Sequence, residues 1–71
     1  MRKDWHKGGW HEYDYKPGGE LKGGVMGYGA IWVPWVVRED DMPIVTLGDA
    51  PNLFSAARAV QREVYRTGGV T

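Results

Sequence analysis

The stretch 49–67, DAPNLFSAARAVQREVYRT, decides the fold because it has the start, the spacing and the end of an α-helix. Asp49 is a good N-cap, and Pro51 suits the first turn, where its missing N–H costs nothing. Gly68 follows at the position where helices commonly stop. The apolar residues recur at helical spacing and predict a buried stripe: Leu53, Ala57, Val60 and Val64, flanked by Phe54 and Ala56. Such a helix needs a second layer to cover that stripe.

The residues upstream of the helix have the composition of β-strands. Residues 10–16, WHEYDYK, alternate so that His11, Tyr13 and Tyr15 share one face. Residues 16–19, KPGG, predict a type II turn, because proline presets φ at the first central position and glycine accepts positive φ at the second. The glycine-spaced run 20–29, ELKGGVMGYG, has the composition of a loose second strand or an extended hairpin arm.

The segment 30–38, AIWVPWVVR, is the strongest predicted strand, because β-branched and aromatic residues dominate it. Pro34 cannot donate to a ladder, so we expect this strand to lie at an edge or to bulge there. A further short strand is predicted over 42–47, MPIVTL, ending before Gly48.

These elements predict an α+β fold, a small three-stranded antiparallel sheet with one C-terminal helix in the order β-β-β-α. Residues 1–9 are polar and end in a glycine pair, which predicts a flexible N-terminal arm. We expect residues 10–67 to form a single domain and residues 68–71 to form a disordered tail.

Aromatic residues are concentrated in the first half of the chain. Seven of the nine aromatic side chains fall within the first 35 residues, together with eight of the eleven glycines. A chain of this size cannot hide that many large rings, so we expect at least two on the surface. The predicted partner-binding set has a ring-bearing face and a basic rim: Tyr13, Tyr15, Trp32 and Trp35, with Arg58, Arg62 and Arg66.

Size and charge limit how the chain is stabilised and what it binds. With 71 residues and no cysteine, it has neither disulfides nor thiolate zinc sites to support a small core. Self-association into a homodimer is one remaining way to add buried area. The formal net charge is zero, whereas a nucleic-acid-binding domain is more often basic. No apolar run has the length of a membrane span and no secretory signal is evident, so we expect a cytoplasmic protein that does not contact membranes.

The reactive side chains do not form a recognisable catalytic pattern. Asp4, His6, His11, Glu12 and Asp14 could ligate zinc or exchange protons, but their spacing matches no compact site. Ser55 lies in the predicted helix without an evident base. Residues 23–29, GGVMGYG, lack the strand–turn–helix context of a phosphate-binding loop. We therefore expect no enzymatic activity, no cofactor and no metal site.

Two family resemblances accompany these patterns. Three short strands followed by a helix resemble the arm-binding domains of phage integrases and the plant AP2-type domain, which place a sheet in the DNA major groove. That resemblance implies base contacts from the sheet and phosphate contacts from the N-terminal lysines: Lys16, Lys22, Tyr13, Tyr15, Trp32 and Arg38, with Lys3 and Lys7. The run 45–64, VTLGDAPNLFSAARAVQREV, resembles small antitoxins of the HicB type, matching at Val45, Thr46, Gly48, Asp49 and Ala57.

Protein binding is the function that the exposed rings predict, since Trp, Tyr and Arg are common anchors of interfaces. In size and style the chain is similar to small accessory proteins of phages and other mobile elements, many of which bind and inhibit a host protein. The alternative prediction is DNA binding through the three-stranded sheet.

Overall fold

The computed structural model describes residues 3–38 and 44–67, which form an antiparallel sheet and one C-terminal helix. The α+β class, the antiparallel sheet and the C-terminal helix are confirmed, but the sheet has five strands rather than three. Its strands neighbour one another in chain order. They are β1 (Trp5–Gly9), β2 (Glu12–Tyr15), β3 (Gly23–Tyr28), β4 (Ile31–Val36) and β5 (Val45–Thr46), followed by α1 (Leu53–Thr67).

Strand β1 occupies the segment that the sequence assigned to a flexible arm. It pairs antiparallel with β2, with Trp5 opposite Tyr15 and Lys7 opposite Tyr13. The Trp5 ring packs against Tyr15 with centroids 4.9 Å apart, and both side chains are buried. The arm prediction failed over this segment because the burial of one tryptophan orders residues that are otherwise polar. The predicted tail, 68–71, lies outside the described residues.

Pro34 lies within a strand that has neighbours on both sides. The carbonyls of Trp32 and Pro34 accept hydrogen bonds from Ala50 and Leu47, so the amide positions of these two residues also point toward the β5 side. The ladder to β3 is therefore intact, with Val25 opposite Pro34. The missing N–H of the proline faces the side where, among the described residues, β4 meets a two-residue strand and one isolated bridge. The strand is therefore not at the edge of the sheet as predicted. Pro34 instead leaves one hydrogen bond missing on the side of β4 that faces β5.

The N-cap of the helix lies three residues after the predicted cap, and α1 begins at Leu53. Asn52 is the N-cap, since its Oδ1 accepts a 2.8 Å hydrogen bond from the backbone N–H of Ser55. Asp49 precedes an extended segment in which Ala50 exchanges two backbone hydrogen bonds with Trp32. That pairing holds residue 50 outside the helix, which is why the cap falls at Asn52.

The core lies between α1 and one face of the sheet. The predicted helical stripe is confirmed, with Ala57 and Val60 buried, Leu53 and Val64 packed against the core, and Ala56 buried beside them. Their sheet partners are Trp5, Tyr15, Val25 and Val36. The helix packs mainly across β3 and β4, so β1 and β2 extend beyond it. Within the described residues, no helix has the length and apolar character needed to cross a membrane.

Candidate functional site

The two tryptophans of β4 lie on opposite faces of the sheet. They are three positions apart on a strand, and side chains alternate with a period of two. Trp32 faces the helix side, where it is half-buried against the core with its ring 6.3 Å from Tyr13. Trp35 faces the other side and covers the bare Cα of Gly24. The structure therefore brings Tyr13 and Trp32 together and separates Trp35 from them.

Tyr15 and Trp35 are buried in the folded chain, at 5% and 7% exposure. The pKa of the Tyr15 hydroxyl is raised above its ordinary value, chiefly by burial and further by Tyr65 and Asp4. The indole Nε1 of Trp35 is also buried, and it has no hydrogen-bond partner among residues 3–38 and 44–67. Burial removes both residues from any surface that the folded chain presents, because each ring covers neighbouring backbone or core instead.

The three arginines of the predicted rim differ in their surroundings. Arg66 binds Glu63 through two hydrogen bonds, of 2.8 and 3.3 Å, and Arg38 of the β4 end reaches the same carboxylate at 3.3 Å. Arg58 and Arg62 are exposed on the outer side of α1 and line a shallow groove beside Phe54. Arg58 and Arg62 are thus available to a partner, while Arg66 is bound to Glu63 within the helix.

The most exposed ring is one that the predicted set did not include. Trp10 is 87% exposed and forms, with His11, the two-residue tip of the β1–β2 hairpin. His11 has a φ of 58°, the left-handed conformation that glycine and asparagine tolerate best. The sequence did contain a signal for this hairpin tip, because the glycine pair at residues 8–9 directly precedes Trp10 and His11.

These rings continue into one strip on the helix side of the sheet, which is exposed at Trp10 and His11 and half-buried at Trp32. Ring centroids lie 4.2 Å apart for Trp10 and His11, and 6.3 Å apart for His11 and Trp32. Lys7 places its Nζ 5.4 Å from the Tyr13 ring centroid, which is cation–π geometry. We call this group the aromatic surface: Lys7, Trp10, His11, Tyr13 and Trp32.

One flank of the helix stands beside the aromatic surface. Phe54 and Tyr65 are eleven residues apart and therefore lie within about 20° of each other around the helix axis. Tyr65 contributes to the raised pKa of the Tyr15 hydroxyl on β2, while Glu63 on the opposite flank reaches Arg38. The flank with Phe54 and Tyr65 thus faces the half of the sheet that the helix leaves uncovered. Both of these rings are exposed.

Neither metal-binding residues nor comparison with known proteins assigns a function to the chain. Among residues 3–38 and 44–67, no three His, Asp or Glu side chains are grouped so that they could hold a metal ion. Comparison of the chain with protein-family models, with curated proteins and with solved structures finds no match. The geometry of the surface is therefore what supports a function.

Proposed function

We propose that this chain is a small non-enzymatic module that binds a partner protein through the aromatic surface. The observation that carries the proposal is Trp10, which is 87% exposed on a hairpin tip whose next residue has a φ of 58°. A left-handed non-glycine residue costs about 1–3 kcal/mol, and an exposed indole contributes little to the core. A strained turn that presents a large ring is typical of a binding site, since neither feature stabilises the free chain.

The composition of the aromatic surface favours a protein partner. Rings with few rotatable bonds give a large contact area at a small entropic cost, and they are enriched at interface hot spots. Lys7 and the ring edges of His11 and Trp10 add donors at the rim. Tyr13 and Trp32 are held by the sheet, so the surface is already organised before binding.

DNA binding through the sheet is the alternative, and the geometry supports it less. The face opposite the helix carries Glu12 and Asp14, whose charges repel phosphate. Two of the cations that the alternative requires already have partners. Lys22 lies 3.6 Å from Glu20, and Arg38 lies 3.3 Å from Glu63.

The partner that we favour is a host protein in the cytoplasm, bound and inhibited by an accessory protein of a phage or other mobile element. Small size, a net charge of zero and the lack of a cofactor motif support this form of the proposal. Nothing in it requires a catalytic residue, a cofactor or a membrane. A homodimer is compatible with it, provided that the aromatic surface stays free.

Affinity capture with matched surface variants tests the proposal. The wild-type chain, Trp10→Ala and Tyr28→Ala are used to capture proteins from a lysate of the cells that encode the chain. Tyr28 is the control, because it is 58% exposed but belongs to the other face of the sheet. We expect Trp10→Ala to lose the retained protein and Tyr28→Ala to keep it, with thermal midpoints unchanged for both. Equal retention by the two variants would contradict the proposal.

A titration with duplex DNA at two salt concentrations distinguishes DNA binding from the proposed protein binding. DNA binding that weakens steeply between about 50 and 200 mM salt would favour the nucleic-acid function. We expect no binding at the lower concentration.

A further inference from the structure

The exposed side of α1 carries a second group, which runs from Phe54 on the flank outward to Arg58 and Arg62 and which we call the helix surface. Phe54 is 80% exposed and both arginines are exposed. The three residues are spaced four apart, so their side chains follow one stripe with a rise of about 6 Å between neighbours. All three line the same shallow groove, together with Ser55 and Ala59. The helix surface shares no residue with the aromatic surface.

The helix surface carries two positive charges without a paired carboxylate among the described residues. Within the described parts of the chain, neither Arg58 nor Arg62 pairs with a carboxylate, whereas Arg38 and Arg66 both bind Glu63. Two guanidinium groups therefore keep their full donor capacity beside an exposed ring. An apolar partner alone would leave these charges desolvated and unpaired, which is costly. The occupant must supply both anionic acceptors and an apolar contact.

We propose that the helix surface docks an acidic helical segment of a partner protein. Two carboxylates spaced four residues apart on a helix have the same rise of about 6 Å as Arg58 and Arg62. Each carboxylate can accept paired hydrogen bonds from one guanidinium group, a geometry that arginine favours. An apolar side chain one turn further along the partner helix covers Phe54.

The same surface is less suited to nucleic acid. Phosphate binding gains affinity from an extended row of cations, and here two cations stand next to an apolar ring in a chain of zero net charge. The inference goes beyond the proposed function because it assigns a second site and the chemistry of its occupant. It stands or fails independently of Trp10.

A pair of synthetic peptides tests this proposal. The acidic peptide is a helix of about 17 residues with Leu, Glu, Glu and Leu at successive four-residue spacings, so that an apolar residue meets Phe54 in either orientation. The neutral peptide has Gln in place of both Glu. NMR titration of the full chain follows the backbone amides of α1 and the Nε–H signals of its arginines. We expect the acidic peptide to shift the signals of Phe54, Arg58 and Arg62, and the neutral peptide to bind about tenfold more weakly.

Charge-reversal variants give the control. We expect Arg58→Glu with Arg62→Glu to weaken binding of the acidic peptide by about tenfold or more. Lys3→Glu with Lys16→Glu makes the same change in net charge elsewhere and should leave binding within about twofold. If the reversed pair does not fold, Arg58→Gln with Arg62→Gln replaces it, with the same direction of effect.

Several results would overturn the assignment. Equal binding of the two peptides would show that the carboxylates are not recognised, and equal loss in the lysine control would show that only net charge matters. Tighter binding of duplex DNA at the same arginines would assign the surface to phosphate. Self-association that disappears on reversing Arg58 and Arg62 would assign it to a second copy of the chain.

Discussion

Gly24 holds Trp35 in place by lacking a side chain. A Cβ at this position would meet the Trp35 ring and lie 2.6 Å from the backbone oxygen of Tyr13. Gly24 and Trp35 are direct partners across β3 and β4, so the indole lies over the glycine. The face that the helix leaves open is thereby partly covered by one of its own rings.

Gly24→Ala tests that close approach. We expect the free energy of unfolding to fall by about 1–3 kcal/mol, because the added methyl group must displace backbone or a buried ring. Urea unfolding at equilibrium measures the change. Gly48→Ala is the matched control, since a Cβ there meets nothing within 4 Å, and its effect should stay within about 0.5 kcal/mol. Similar losses in both variants would argue against the packing of Trp35 on Gly24.

Tyr15 makes the stability depend on pH in the alkaline range. Its pKa is raised in the folded chain, chiefly by burial, so the folded state retains a proton that the unfolded state loses. The corresponding stability is fully present below about pH 10, where unfolded tyrosine ionises, and it is lost as pH rises through the folded pKa. We expect Tyr15→Phe to flatten the fall in unfolding free energy above that pH. An unaltered slope in Tyr15→Phe would contradict the burial of the hydroxyl.

The start of α1 depends on a single side chain. Asn52 accepts a 2.8 Å hydrogen bond from Ser55 N, and the first backbone bond of the helix runs from Ala56 N to Asn52 O at 3.2 Å. Asp49, three residues earlier, is exposed and precedes the bridge between Ala50 and Trp32. The helix and the sheet are therefore joined by a bridge residue and a bend at residues 51–52 rather than by an extra helical turn.

Asn52→Ala should lower the free energy of unfolding by about 1 kcal/mol, because it leaves an N-terminal amide of the helix without its acceptor. Asp49→Ala is the control and should change it by no more than about 0.5 kcal/mol. Thermal or urea unfolding followed by circular dichroism at the helix band measures both. The reverse order of effects would restore Asp49 as the cap.

The features that depend on residues close together in the sequence were predictable from it. The turn at residues 16–19 and the positive φ at its glycine are confirmed, with Gly18 at φ 70° and ψ 12° and a 3.0 Å hydrogen bond from Gly19 N to Lys16 O. The shared face of Tyr13 and Tyr15 also follows from local spacing, while the predicted helix stop at Gly68 lies outside the described residues. Each of these features is decided within a few residues of chain.

Most features that sequence reasoning missed depend on distant contacts. Strand β1 forms because Trp5 meets Tyr15, ten positions away, and no local pattern indicates that contact. The burial of Trp35 requires Gly24 on the neighbouring strand. Two missed features had a local signal: strand alternation alone predicts the separation of Trp32 from Trp35, and a glycine pair precedes the exposed Trp10.

The sheet divides into a half that the helix covers and a half that carries the exposed rings. Over β3 and β4 the helix covers the sheet, and Glu63 ties it to Arg38. Over β1 and β2 the same side carries Lys7, Trp10, His11 and Tyr13 beyond the helix. A small core thus supports an adjoining strip of rings, and this arrangement is the basis of the proposed function.

Photocrosslinking tests the role of that strip most directly. The light-reactive amino acid benzoylphenylalanine replaces Trp10 in one variant and Tyr28 in another, each expressed in the cells that encode the chain. We expect a discrete protein adduct after illumination from position 10 and none from position 28. An adduct with nucleic acid from position 10, or protein adducts from position 28 alone, would contradict the proposed function.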